Sequence, residues 1–123
     1  MILVDTSVWI DHLRAGDERL AALLQDGSVL GHPFVLGEIA LGNLRGRSRV
    51  IGALQELPQA VVASADEILH LIGVEPLFGQ DIGYVDAHLV AAVRLTAGAL
   101  LWTRDARLRR IARDLDLDWQ GAP

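Results

Sequence analysis

Cysteine and lysine are both missing from the 123-residue sequence. Without cysteine, the protein has no disulfide bond, no thiolate nucleophile and no cysteine-ligated zinc site. Without lysine, it lacks the Gly-Lys-Ser/Thr phosphate loop of nucleotide triphosphatases and the lysine that a receiver domain carries near its end. These absences narrow the candidate functions to chemistry that needs neither a thiol nor an amine.

Long hydrophobic runs are missing as well. Although 51% of the residues are hydrophobic, an acidic residue, an arginine or a glycine interrupts every apolar stretch before it could cross a bilayer. The sequence opens with Met1-Ile2-Leu3-Val4-Asp5, without the basic segment of a signal peptide. We therefore expect one globular domain over residues 1–123, in the cytoplasm and not in a membrane.

The net charge of −5 argues against a broad basic surface that binds nucleic acid nonspecifically. All 11 basic residues are arginine, which makes bidentate contacts with phosphate groups; compositional bias of the source genome would explain the same preference. Arg45, Arg47 and Arg49 lie in a predicted basic turn. They are candidates for contact with an RNA backbone, and a merely solvated turn would show the same pattern.

Short apolar segments alternate with helical patterns along the chain. Strands are predicted at 2–4, 28–31, 60–63, 99–102 and 117–119. Helices are predicted at 6–14, from the cap Asp17 to Gly27, from Pro33 to about Gly42, at 50–57, from the capping box Ser64–Glu67 onward, at 84–96 and at 105–114. This alternation predicts an α/β fold with a parallel sheet covered on both faces, and the apolar helix 84–96 is expected to be central.

Four acidic residues occupy positions where a carboxylate is costly. Asp5 follows the apolar run 2–4, and Asp105 follows the run 99–102. Both are predicted to lie at the carboxyl ends of strands, where α/β sheets form their sites. Glu38 and Asp86 lie inside apolar helical segments. If the fold brings the four together, a bound divalent metal ion is the simplest way to compensate their charge.

Each acid also has a structural interpretation. Asp5 and Asp105 stand at helix starts, where a carboxylate caps the helix and interacts favourably with its dipole. Glu38 and Asp86 have no basic residue three or four positions away in their helices, but an arginine from elsewhere in the fold could pair with either. The sequence leaves both interpretations open.

A site built from these residues would offer only oxygen ligands, which favours Mg²⁺ or Mn²⁺ over zinc or copper. Such ions bind phosphate oxygens and lower the pKa of a bound water, and two ions about 4 Å apart can hold both reacting oxygens of a phosphodiester cleavage. The hydroxyls of Thr6, Ser7 and Thr103 are candidates for supporting the acids, with helix capping as their alternative role.

The four histidines are weaker candidates. His88 is predicted to lie on the opposite side of its helix from Asp86, which argues against joint metal ligation. His12, His32 and His70 are expected at the surface or at helix ends.

The segments around the four acids resemble those of PIN-domain ribonucleases. Residues 1–10 are similar to the opening of that family, Glu38 to its second acidic position, residues 83–92 to its third motif and residues 101–105 to its closing motif. Their order, their spacing and the total length resemble the VapC toxins of bacterial toxin–antitoxin pairs, over essentially the whole chain. Leu108 departs from the aromatic residue often found at that position, a change that we expect the core to accept.

The resemblance implies a PIN-like three-layer α/β/α sandwich with a mainly parallel sheet. It implies a Mg²⁺- or Mn²⁺-dependent endoribonuclease in which Asp5, Glu38, Asp86 and Asp105 are the catalytic and metal-binding residues. It also implies an RNA substrate, a homodimer and a cognate antitoxin that blocks the site. The alternatives are a PIN-fold nuclease for ribosomal RNA processing or structured DNA, and a noncatalytic module that binds RNA or protein.

Overall fold

The first strand of the chain lies in the middle of a three-stranded parallel sheet. The computed structural model describes residues 1–121, so the last two residues of the predicted domain 1–123 lie outside the described part. The elements are β1 (Ile2–Val4), α1 (Thr6–Ala15), α2 (Glu18–Gln25), β2 (Val29–Leu30), α3 (Pro33–Ala40), α4 (Arg47–Glu56), α5 (Ala65–Val74), α6 (Tyr84–Leu95), β3 (Leu100–Trp102) and α7 (Ala106–Asp114).

The sheet order is β2-β1-β3, and both pairings of β1 are parallel. Successive side chains of a strand point to opposite faces, and Ile2, Leu3 and Val4 are all buried. Helices therefore cover both faces of the sheet, which gives the α/β/α sandwich expected from the sequence. No helix within residues 1–121 is long and apolar enough to cross a membrane.

Local sequence signals account for most helix starts. Asp17 accepts hydrogen bonds from the first backbone N–H groups of α2, and Pro33 occupies the first turn of α3. Ser64 and Glu67 form the predicted capping box of α5. Helix α6 is central as predicted, because residues 87–93 are all buried.

Leu108 also belongs to the core. Its side chain is fully buried, on the apolar face that α7 presents together with Ile111 and Ala112. The structure therefore accepts leucine at this position, as the sequence predicted.

The strand predicted at 60–63 is wrong. Only Ala60 takes part in pairing, through its N–H bond to the Gly31 carbonyl oxygen, and Val61 instead donates its N–H to the Thr96 hydroxyl. The Val61 and Val62 side chains are nearly half exposed, so this β-branched segment runs along the surface. The strand predicted at 117–119 is reduced to one bridge, in which Leu101 bonds to Leu117 and Trp119.

The predicted basic turn at 45–49 needs a second correction. Gly46 adopts a left-handed backbone conformation with φ of 61°, and α4 begins directly after it at Arg47. Arg47 and Arg49 therefore lie in the first turn of a helix. The helix predicted at 50–57 begins three residues earlier than expected.

Candidate active site

Asp5 accepts more hydrogen bonds than any other of the four acids, because three neighbours bond to its carboxylate. Its Oδ1 accepts the Thr6 N–H at 2.8 Å, and its Oδ2 accepts the Ser7 hydroxyl at 2.8 Å and the Thr103 hydroxyl at 2.7 Å. The side chain follows the central strand β1 and is buried. Its orientation is thus fixed by its own helix start and by the end of the neighbouring strand β3.

Thr103 connects two of the predicted acids. While its hydroxyl donates to Asp5, the same oxygen accepts the backbone N–H of Asp105 at 3.1 Å. Asp105 also caps α7, since its Oδ1 accepts the N–H groups of Arg107 at 2.9 Å and Leu108 at 3.1 Å. Helix capping and membership of the acidic group are therefore compatible for this residue.

Thr6 makes the corresponding connection to Glu38. Its hydroxyl donates to Glu38 Oε1 at 2.8 Å, while its N–H is bonded to Asp5. This pair brings α3 to the start of α1. All three hydroxyl residues predicted to support the acids therefore contact at least one of them.

The pKa of Asp86 is affected by all three of the other acids. Burial raises its pKa, the N–H of Gly83 at 3.2 Å opposes that rise, and the negative charges of Asp5, Asp105 and Glu38 add to it. Each of the other three carboxylates is therefore close enough to disfavour the ionised form of Asp86. The hydrogen bonds through Thr6 and Thr103 connect Asp5 with Glu38 and Asp105, and this electrostatic effect adds Asp86 to the same group.

The sequence predicted that all four acids occupy positions where a carboxylate is costly, but their burial in the structure differs. Only Asp5 is buried; Asp86 is partly buried, and Glu38 and Asp105 are exposed. Glu38 lies on the outward side of α3, although its sequence neighbours are apolar, because Val35 and Ile39 form the buried side of that helix. The cost of burial therefore applies to Asp5 and Asp86 alone.

The arginine partner considered for these acids does not occur in the described structure. In every ion pair identified within residues 1–121, the acidic partner is a residue outside this group of four. Asp5 and Glu38 are held by hydroxyl and amide donors, which do not cancel charge. Their negative charge therefore stays available for a cation.

The carboxylates do not form a closed metal site as they stand. No group of three or more His, Asp or Glu side chains within residues 1–121 is arranged to hold a metal ion. The donor chemistry nevertheless fits a hard divalent cation, since carboxylate and hydroxyl oxygens line the site and their charges repel. Three carboxylate oxygens accept no hydrogen bond from the described residues: Asp86 Oδ1, Asp105 Oδ2 and Glu38 Oε2.

The predicted RNA contacts Arg45, Arg47 and Arg49 are all exposed. The Arg47 guanidinium bonds to the backbone carbonyl oxygen of Ala40, at the end of α3. Arg45 and Arg49 make no ion pair with the described residues. None of the three donates a hydrogen bond to the four acids.

Sequence reasoning missed the side chain of Arg104, which stands between Thr103 and Asp105. Its guanidinium pairs with Asp11 of α1 and with Asp17, the cap of α2. Burial alone would raise the pKa of Asp17, but hydrogen bonds from the Leu20 N–H, Arg104 and Arg19 outweigh it and lower the pKa to about 2. The triplet Thr103-Arg104-Asp105 was visible in the sequence, but the two partners of the arginine were not.

The histidines follow the predictions only in part. His88 packs against Phe34 and Tyr84, at centroid distances of 4.4 and 4.7 Å. His32 is at a helix end as predicted, but it is buried and not at the surface. Both imidazoles are buried, and this burial, together with the nearby His88, lowers the pKa of His32 to about 4.

The sequence of this chain is similar to those of known proteins. Residues 2–114 match the family model described as PIN domain. Over 109 residues the chain is 51% identical to Ribonuclease VapC32 of Mycobacterium tuberculosis, both in strain CDC 1551 / Oshkosh and in strain ATCC 25618 / H37Rv. The match covers 89% of this chain and 88% of each relative.

Proposed function

The chain belongs to the PIN-domain family and to its VapC ribonucleases, and from this we propose that it is an endoribonuclease acting as the toxin of a toxin–antitoxin pair. The observation that supports the proposal most directly is the set of hydrogen bonds by which Thr6 and Thr103 connect Asp5 with Glu38 and Asp105. Four carboxylates around one open site repel an RNA phosphate unless a cation is present. The reaction is therefore proposed to be hydrolysis of a phosphodiester bond with a divalent metal ion.

Asp5, Glu38, Asp86 and Asp105 are proposed to hold Mg²⁺ or Mn²⁺ through their carboxylate oxygens. A bound ion of this kind lowers the pKa of a water molecule and stabilises the negative charge that develops on the phosphate. The carboxylate oxygens that accept no protein hydrogen bond remain able to accept one from the attacking water and to orient it. No cysteine, lysine or serine nucleophile takes part in this scheme.

The hydroxyl residues are proposed to position the acids. Ser7 and Thr103 hold the same oxygen of Asp5, which leaves Oδ1 with only the Thr6 N–H. The Ser7 hydroxyl also accepts the backbone N–H of Arg104 at 3.0 Å, so the loop before Asp105 is attached to α1. Carboxylates fixed in this way lose less entropy when the reacting groups bind.

We further propose the partners that this family membership implies. These are an RNA substrate, a cognate antitoxin protein that blocks the acidic site and a second copy of the chain in a homodimer, all in the cytoplasm. Arg45, Arg47 and Arg49 remain candidates for contact with RNA, because they are exposed and arginine suits phosphate binding.

The test is cleavage of structured RNA by the purified protein with Mg²⁺, with Mn²⁺ and with a chelator. Asp5→Asn and Asp86→Asn are expected to lower the cleavage rate by at least about 100-fold. Asp114→Asn is the matched control, because Asp114 ends α7, is exposed and lies outside the acidic group. Cleavage that survives both chelation and Asp5→Asn would contradict the mechanism, and preferential cleavage of structured DNA would contradict the substrate.

A further inference from the structure

A polar cavity of about 260 Å³ opens beside the acidic site. We call it the arginine pocket; its walls are Arg19, Trp102, Thr103, Arg104, Arg109, Asp118 and Trp119. Three guanidinium groups and one carboxylate therefore line it, in a protein whose net charge is −5. Arg19 and Arg104 face the carboxylates of Asp17 and Asp11, whereas Arg109 and Arg113 share the single carboxylate of Asp118. The excess of positive charge therefore lies at Arg109, and such an excess attracts an anion.

The arginine pocket and the acidic site share one residue. Thr103 lines the pocket, while its hydroxyl bonds to Asp5 and accepts the N–H of Asp105. Arg104 follows directly in the chain. The pocket and the acidic site are therefore adjacent.

Arg104 is held in place and keeps donors for a ligand. Arg104 pairs with Asp11 and Asp17, neither of which lines the pocket. A guanidinium has five N–H donors, so these two contacts leave others unused. The guanidinium carbons of Arg19 and Arg104 lie 5.2 and 5.8 Å from the Trp102 ring centre, where cation–π attraction stabilises both.

Arg109 is the cation best placed to reach a ligand. Its Nε lies 3.6 Å from Asp118 Oδ2, a long distance for a hydrogen bond. Asp118 also has Arg113 at 3.4 Å, so it does not depend on Arg109 alone. The Arg109 side chain is 43% exposed, and its terminal nitrogens are therefore accessible to an incoming phosphate.

We propose that the arginine pocket binds a phosphodiester group of the RNA strand, adjacent to the phosphate that is cleaved. This inference rests on the proposed ribonuclease function, since it assigns a second position on the same substrate. Fixed guanidinium groups bind phosphate without regard to base identity. The pocket therefore contributes affinity and strand position, while sequence preference arises elsewhere.

The larger cavity between α5 and α6 does not fit the same role. It has a volume of about 400 Å³, and Asp66, Glu67 and Glu75 line it with Arg94 as its one arginine. Arg94 pairs with Glu75 at 2.9 Å. Its acidic excess repels a phosphate group, so RNA is assigned to the arginine pocket.

The test compares Arg109→Ala with Arg110→Ala, two adjacent changes that remove the same charge from α7. Arg110 is exposed and does not line the pocket. Binding is read by fluorescence anisotropy of a labelled oligouridine of about 12 nucleotides, with Asp86→Asn protein in chelator so that cleavage does not interfere. Arg109→Ala is expected to raise Kd about tenfold at low salt, against less than about twofold for Arg110→Ala.

Salt dependence provides an independent measurement in the same assay. Loss of one phosphate contact reduces the slope of log Kd against log salt by about 0.7 for a single strand. Arg109→Ala should show this reduction, and Arg110→Ala should not. Equal Kd values and equal slopes for the two variants would overturn the proposal. So would weaker binding of polyglutamate by Arg109→Ala with unchanged RNA binding, because the pocket would then serve an acidic protein.

Cleavage by otherwise wild-type protein separates this proposal from the proposed function. Arg109→Ala is expected to raise KM about tenfold and to leave kcat within about twofold, since the pocket binds strand and not the reacting atoms. Normal cleavage with equal KM values for Arg109→Ala and Arg110→Ala would overturn the proposed role of the pocket and leave the nuclease function intact. Absence of cleavage in every protein, with the difference in RNA binding retained, would overturn the nuclease and leave the pocket as an RNA-binding site.

Discussion

Replacing Thr103 with valine should lower both the melting temperature and the cleavage rate, because one hydroxyl serves two acids. It donates to Asp5 Oδ2 at 2.7 Å and accepts the Asp105 N–H at 3.1 Å. Thr103 is 3% exposed and Asp5 is 7% exposed, so solvent has little access to replace the lost contacts. Valine keeps the approximate volume and removes only the polar group.

The magnitude follows from the type of bond. A hydrogen bond to a charged group contributes about 1.5–3 kcal/mol, and Ser7 continues to donate to the same carboxylate oxygen. We therefore expect a loss of about 2 kcal/mol in the free energy of unfolding. With an unfolding entropy of about 2.1 cal/mol/K per residue, the 123 residues convert this loss to a melting temperature lower by about 8 °C.

Differential scanning calorimetry measures the stability, and single-turnover cleavage of RNA measures the catalytic effect. The rate is expected to fall at least about tenfold, since Asp5 and Asp105 both lose a positioning contact. Thr103→Ser is the matched control: it retains the hydroxyl and should recover most of both properties. A melting temperature for Thr103→Val within about 2 °C of wild type, or a serine variant as impaired as the valine variant, would refute the reasoning.

Three further predictions concern pH, metal and the Arg104 ion pairs. The folded pKa of His32 is about 4 against 6.5 for the free side chain, so the unfolded chain takes up the proton first and stability should fall by about 2 kcal/mol from pH 7 to pH 5. His32→Asn keeps a cap acceptor without titrating and should reduce that loss, as thermal unfolding at both pH values would show; an unchanged loss would contradict the assignment. Millimolar Mg²⁺ should raise the melting temperature of wild type but not of Asp86→Asn, and equal shifts would argue against a site at these acids. Arg104→Gln and Asp17→Asn should each lower the free energy of unfolding in urea at pH 7, and their effects should be non-additive because the two side chains are paired; simple additivity would exclude an energetic coupling.

Local patterns in the sequence were sufficient to predict most of the helices and strands. The strand 2–4, the central helix 84–96 and the capping box Ser64–Glu67 depend on contacts within a few residues, and all three were predicted. The prediction failed at Val61 and Val62, whose β-branched side chains favour a strand only where a partner strand is available. Pairing of this kind is a tertiary property that composition does not encode.

The site was predicted by residue type better than by environment. Glu38 was expected to be buried because its neighbours are apolar, but the helix turns it outward. A helical face is determined by what packs against it, and one sequence does not specify that packing. The Arg104 contacts with Asp11 and Asp17 were missed for a similar reason, since those acids are 93 and 87 residues away in the chain.

The bond between Thr103 and Asp5 also has a consequence for the order of synthesis. It joins residues 98 positions apart, and β1 has β3 as one of its two partners in the sheet. A ribosome that has translated the first two motifs has therefore made a chain whose central strand still lacks a neighbour. Contacts this distant in sequence form late, so the nascent polypeptide cannot assemble the acidic group until its closing motif has left the exit tunnel. A toxin whose activity depends on these four acids, as proposed, would thereby stay inactive during most of its translation.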